Sequence, residues 1–138
     1  MHTVCMMTKR MDGASQIRQR LNQIPVEMAA EVHRMVSVRT MVRGYLYHSH
    51  RRCGKPTCRC ARGELHEAWV LATKVGGKAT TRSVATGLRK KVEKLADNYR
   101  QFRDAQGRMR KLTKEAARLG RELGKLLCED LFKEAGRS

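Results

Sequence analysis

The sequence predicts an α+β protein: a small three-stranded antiparallel sheet pinned at one end by cysteines, N-terminal helices before it, and a long C-terminal helix or helical hairpin after it. Three observations carry that reading. Leu88, Val92, Leu95, Tyr99 and Phe102 step by 4, 3, 4 and 3, and Ala105, Met109, Leu112, Ala116, Leu119, Leu123 and Leu126 continue the same stripe. Two β-prone runs, AWVLATK and ATTRSVA, flank Gly76-Gly77, a pair that tolerates the positive φ of a primed hairpin turn. Cys53, Cys58 and Cys60 fall within eight positions, with His66 six residues on.

Taken in order, residues 1–13 are Met-rich and without period, and read as a flexible arm. Residues 14–36 read as two helices. Ser15 would cap the first, in which Ile17, Leu21 and Ile24 share a face, and Pro25 would open the second, with Met28, Val32 and Met35 as its stripe. Residues 37–85 form a zinc-ribbon-like β module. Val42, Tyr45 and Tyr47 mark a strand that leads into the cysteine loop, and the two runs around Gly76-Gly77 supply the hairpin. Residues 86–138 form one basic amphipathic helix, with Gly107 the place for a bend or a hairpin loop. A seam this long exceeds what three strands can cover. It asks for a partner helix, from this chain or from a second copy in a homo-oligomer.

Composition narrows the function classes. The chain has 138 residues, six of them aromatic, so a single deep core is not expected. Thirty Lys and Arg oppose thirteen Asp and Glu, a formal net charge of +17, which repels itself when compact and attracts polyanions. No apolar run approaches the ~20 residues that span a bilayer, and the first residues lack a signal peptide's apolar segment. An odd number of cysteines, three of them clustered, favours a metal over disulfides and a cytoplasmic setting.

The loop HSHRRCGKPTCRCARGELH carries the chemistry. Cys53, Cys58, Cys60 and His66 offer three thiolates and one imidazole, a set that suits tetrahedral zinc. His48 or His50 can replace one ligand, and an iron–sulfur cluster is the runner-up, with Cys5 or Cys128 as its fourth thiol. Four protein ligands leave no open position for a reacting water, and nothing in the sequence points to catalysis. His66-Glu67 begins like a zinc-protease helix motif, but Val70 stands where the second His belongs.

Around those ligands lie Arg51, Arg52, Lys55, Arg59 and Arg62, with no acid before Glu64. From Arg82 to Lys125 fourteen Lys and Arg face five Asp and Glu, and Arg82, Arg89, Lys90, Arg103, Arg110 and Lys111 are further candidates for phosphate contacts. The expectation is a non-catalytic nucleic-acid-binding protein. DNA is favoured slightly over RNA, because few aromatics are available to stack on unpaired bases. The alternative is an oligomeric assembly protein, a subunit of a nucleoprotein complex.

The stretch MVRGYLYHSHRRCGKPTCRCARGELH, followed by KVGGKATTRSV, resembles a family of short basic bacterial proteins of unknown function. Their pattern runs MVRGSL, CGKPxCRCxxGxxHGPY, a strand, a KxGGK turn and a long charged helix. Met41, Val42, Arg43, Gly44, Cys53, Gly54, Lys55, Pro56, Cys58, Arg59, Cys60, Gly63 and His66 match it, and Glu67, Ala68 and Trp69 stand where it has Gly, Pro and Tyr. The resemblance spans roughly residues 41–112. It implies that the three cysteines and His66 act as one unit, and it carries no activity.

Overall fold

The computed structural model describes residues 2–129, 131 and 132, and side chains from Met11 onward. Helix α1 spans His2–Ser37, strands β1, β2 and β3 span Tyr45–Arg51, His66–Val75 and Lys78–Val84, and helix α2 spans Arg89–Leu127. Short 3-10 turns occupy Arg59–Arg62 and Thr86–Leu88. The chain divides into two compact units, one of Met1–His33 with Ala105–Ser138 and one of Arg34–Asp104.

In the first unit two helical segments run antiparallel. Gly13 lies against Leu126, Arg20 reaches Glu115, and Glu31 reaches Arg108, so residue numbers rise on one helix as they fall on the other. The α1 positions turned inward are Ala14, Ile17, Leu21, Ile24, Met28 and Glu31, each buried or half-buried, in steps of 3 and 4. From the facing segment Ala105 and Leu119 are buried, and Met109, Leu112, Ala116, Leu123 and Leu126 are half-buried. Among the described residues Ile24, 1% exposed, is the largest side chain fully enclosed. Enclosing it stabilises the pair by about 1.5–3 kcal/mol.

This unit corrects several expectations. There is one N-terminal helix, not two, and Pro25 sits inside it. Proline removes one backbone hydrogen bond and costs about 3 kcal/mol in a helix interior. Here it is exposed, and the unbroken inward stripe from Ile24 to Met28 and Glu31 carries the helix through. Ser15 therefore caps nothing, and the residues read as a flexible arm are helical from His2. Val32 was expected on the stripe but is 40% exposed; Glu31 holds that place. At the other end α2 runs through Gly107 without the bend or hairpin loop anticipated there, and α1 supplies the partner. Of the helix expected over 86–138, residues 133–138 lie outside the described residues.

In the second unit the sheet order is β1-β2-β3, antiparallel throughout. Register pairs Tyr45 with Ala72 and Arg51 with His66, then Trp69 with Val84 and Val75 with Lys78. The β2–β3 turn is Gly76-Gly77 at φ of 58° and 81°, the doubly positive pair that a type I′ turn requires. Strand β1 starts at Tyr45, later than Val42, whose amide instead donates to the Leu95 carbonyl of α2 at 3.0 Å. Asn98 Nδ2 also donates to the Thr40 carbonyl at 3.0 Å. Gly44 precedes β1 at φ 131°, and a Cβ there would stand 2.2 Å from the Ala72 carbonyl oxygen, so no larger residue fits.

Candidate metal centre and its basic surround

The β1–β2 connection is too long for a tight hairpin and too polar to bury itself, so its backbone bonds come from successive short turns. The Cys58 amide donates to the Lys55 carbonyl at 3.1 Å, Ala61 to Cys58 at 3.1 Å, and Gly63 to Cys60 at 3.3 Å. These turns bring four side chains together. Cys53 follows the end of β1, Cys58 and Cys60 bracket the start of the 3-10 turn, and His66 opens β2. Their ligand atoms all lie within 4.8 Å of one another. Cys53 Sγ is 3.5 Å from Cys60 Sγ, and Cys58 Sγ is 3.1 Å from His66 Nε2. Sulfurs 2.3 Å from a tetrahedral zinc stand about 3.8 Å apart, so the set needs little movement to close on an ion. Cys60, 1% exposed, anchors the group, and the Cys53 amide donates to its sulfur at 3.3 Å.

The thiols differ in basicity. Hydrogen bonding from the Cys60 amide, then from the Cys53 and Cys60 thiols and His66, lowers the Cys58 thiol to about 6. At Cys53 the Lys55 amide favours the thiolate. The sulfurs of Cys60 and Cys58 together with desolvation outweigh it, and the thiol is pushed up. One ligand is thus ionised near neutral pH, the form that a metal takes. Cys53, Cys58 and Cys60 carry no disulfide.

His48 and His50 do not join this group. Side chains alternate across a strand, so Glu67 points to the face opposite His66. His48 Nε2 lies 3.8 Å from one Glu67 oxygen, and His50 Nδ1 lies 3.5 Å from the other. His48 also stacks on Trp69 at 4.7 Å between ring centres, and the Arg89 guanidinium lies 4.1 Å over the Trp69 ring. This stack is not legible in the sequence, because it depends on the β1–β2 register. Beside it a cleft of about 600 Å³ opens between β1, Trp69 and the start of α2, with Arg100 and Arg103 in its wall.

The predicted cations divide accordingly. Arg51, Arg52, Lys55 and Arg62 are exposed with no carboxylate partner among the described residues, and Arg59 is 3.9 Å from Glu64. Arg82 on β3 and Lys90, Arg103, Arg110 and Lys111 on α2 are likewise exposed and without an acidic partner among the described residues. Arg89 is different: it is half-buried, stacked on Trp69 and 3.8 Å from Glu93. In the first unit Arg20 forks onto both Glu115 oxygens at 2.7 and 2.9 Å and reaches Glu27 at 3.0 Å. That contact raises the Arg20 pKa and draws Glu115 below the usual carboxylate range.

A three-stranded sheet carrying a Cys3His cluster in its first connection, flanked by long helices, defines the class. Residues 14–94 match DUF6788, a domain of unknown function, and the chain belongs to that family. No curated protein and no solved structure matches it. Among the described residues no helix is long and apolar enough to cross a membrane.

Proposed function

We propose that this is a non-catalytic nucleic-acid-binding protein in which a structural zinc ion fixes a basic loop. The observation that carries the reading is the coincidence of two chemistries in one connection. Four ligand atoms converge within 4.8 Å, and the same stretch from Arg51 to His66 carries Arg51, Arg52, Lys55 and Arg62 without acidic partners among the described residues. Three thiolates and an imidazole suit tetrahedral zinc, whereas an iron–sulfur cluster ordinarily takes a fourth thiolate. A loop held by a metal loses little entropy when its arginines grip phosphate oxygens, and the guanidinium fork fits them two at a time. The unpaired cations of α2 add a second basic surface. The helical seam that prompted the assembly reading is covered by α1 between Ala105 and Leu126, so it no longer demands a second copy.

Metal analysis of the purified protein should return one zinc per chain. Binding to a labelled oligonucleotide should weaken steeply with salt. With about six phosphates neutralised, log K falls with log salt at a slope near −5 on duplex DNA and near −4 on a single strand. A slope near zero, or no binding at low salt, defeats the proposal.

A further inference from the structure

Two of the chain's six aromatic residues stand together, exposed, along one face of β1 above the buried Val70. Tyr45 is 65% exposed and Tyr47 36%, with ring centres 5.7 Å apart and planes inclined by 36°. Alternation along β1 turns Tyr45, Tyr47, Ser49 and Arg51 to one side. The register sets Ala72, Val70 and Ala68 opposite the first three of these, with Thr81 and Ser83 one strand further on. This floor consists of small residues, and Thr81 and Ser83 are exposed. Trp69, with His48 and Arg89 stacked on it, belongs to the other face.

The face therefore offers two adjacent aromatic planes at one edge of a sheet, over neighbours too short to cover them. Cations bracket it. Arg51 ends the row at the metal loop, and Lys74, exposed on the same side of β2, stands toward the hairpin. We infer that this face is a stacking platform for unpaired bases, so that the polyanion bound is single-stranded nucleic acid, DNA or RNA. This inference rests on the nucleic-acid reading above and narrows it to unpaired strands, reversing the expectation that too few aromatics are available to stack on them. Duplex bases expose only their edges in the grooves, and the planes of the two tyrosines would find nothing to lie on. A single strand presents a π-face at every nucleotide, and its phosphates can follow the row to Arg51 and the loop.

The test is anisotropy binding of the full-length, metal-loaded protein to matched single-stranded DNA, single-stranded RNA and duplex DNA at low salt. The variants are Tyr45→Ala with Tyr47→Ala, and Tyr45→Phe with Tyr47→Phe. The wild type should bind both single strands at least tenfold more tightly than the duplex. The alanine pair should lose at least tenfold on single strands, about one lost base stack, and change less than twofold on duplex. The phenylalanine pair keeps the planes and should match the wild type. Because no cation is removed, the salt slope of the alanine pair should be unchanged, and its metal content and circular dichroism verify the fold. Undiminished single-strand binding by the alanine pair, or equal loss on single strand and duplex, overturns the platform while leaving nucleic-acid binding intact. A wild type that binds none of the three defeats both readings.

Discussion

Between Cys53 and His66 the chain buries one side chain, Cys60, whereas between Ala14 and Glu31 helix α1 buries three and half-buries four more. The helical pair is thus ordered by enclosure of apolar surface along two repeating stripes. The loop has no such stripe, and its order depends on four ligand atoms drawn to one point. On the proposed zinc reading, the cations of the loop are held by chemistry that can be removed, and those of the helix by packing that cannot.

The largest effect should follow from breaking the loop at its anchor. Cys60→Ser is expected to drop metal content from one per chain to near zero and to abolish amide-exchange protection across residues 52–65. Structural zinc supplies on the order of 10 kcal/mol to small sites, more than any single packing contact here. Protection of the Ala14–Glu31 segment should persist. If loop protection survives loss of the metal, the contrast between the regions fails. Ile24→Ala is the converse experiment. It should cost about 2–5 kcal/mol in the helical pair, read as a lower thermal midpoint, with metal content unchanged.

Much of this contrast is legible in the sequence, and the unread part has a physical cause. The long stripe from Val92 to Leu126 is buried or half-buried at every position named, because a heptad repeat needs no knowledge of the partner. Only its first member, Leu88, stands out in solvent, 54% exposed in the 3-10 turn before α2. The Gly76-Gly77 hairpin and the Cys3His cluster were equally visible, since turn chemistry and ligand identity are local. What local reading missed were choices made by tertiary contact. Pro25 looked like a helix start because intrinsic propensity cannot see the packing on either side of it. His48 and His50 looked like ligands until the register set Glu67 between them. Tyr45 and Tyr47 looked like strand formers, and only their exposure shows that the fold does not use their rings as core.

Acid should sharpen the comparison from the loop's side. A thiol held below its ordinary value of 9 contributes stability in full above that value and loses it as pH falls through the folded value, about 6 at Cys58. Metal bound to the thiolate resists protonation further. Release into a chromophoric chelator should therefore have its midpoint below about pH 6, with the helical signal in circular dichroism nearly constant through the release. A midpoint at pH 7 or above would mean that the hydrogen bonds around Cys58 do not favour its thiolate.

The smallest effect is expected where the helical pair departs from its own rule. Glu31 occupies an inward position between Met28 and Met35, and its side chain is only 8% exposed. Its Oε1 accepts a hydrogen bond from Arg108 Nε at 2.9 Å, but the ion has still been taken out of water. Arg108 is about half exposed and can return its charge to solvent if the partner is removed. Glu31→Leu should therefore be close to neutral or raise stability by roughly 1–4 kcal/mol, the range for replacing a buried ion pair with apolar packing. Arg108→Ala should do the opposite, because it leaves the carboxylate enclosed without its compensating guanidinium. Thermal midpoints of the two variants, measured with metal bound, should move in different directions. If Glu31→Leu destabilises as much as Arg108→Ala does, the helices are held in register by that ion pair, and enclosure of apolar surface is not what orders them.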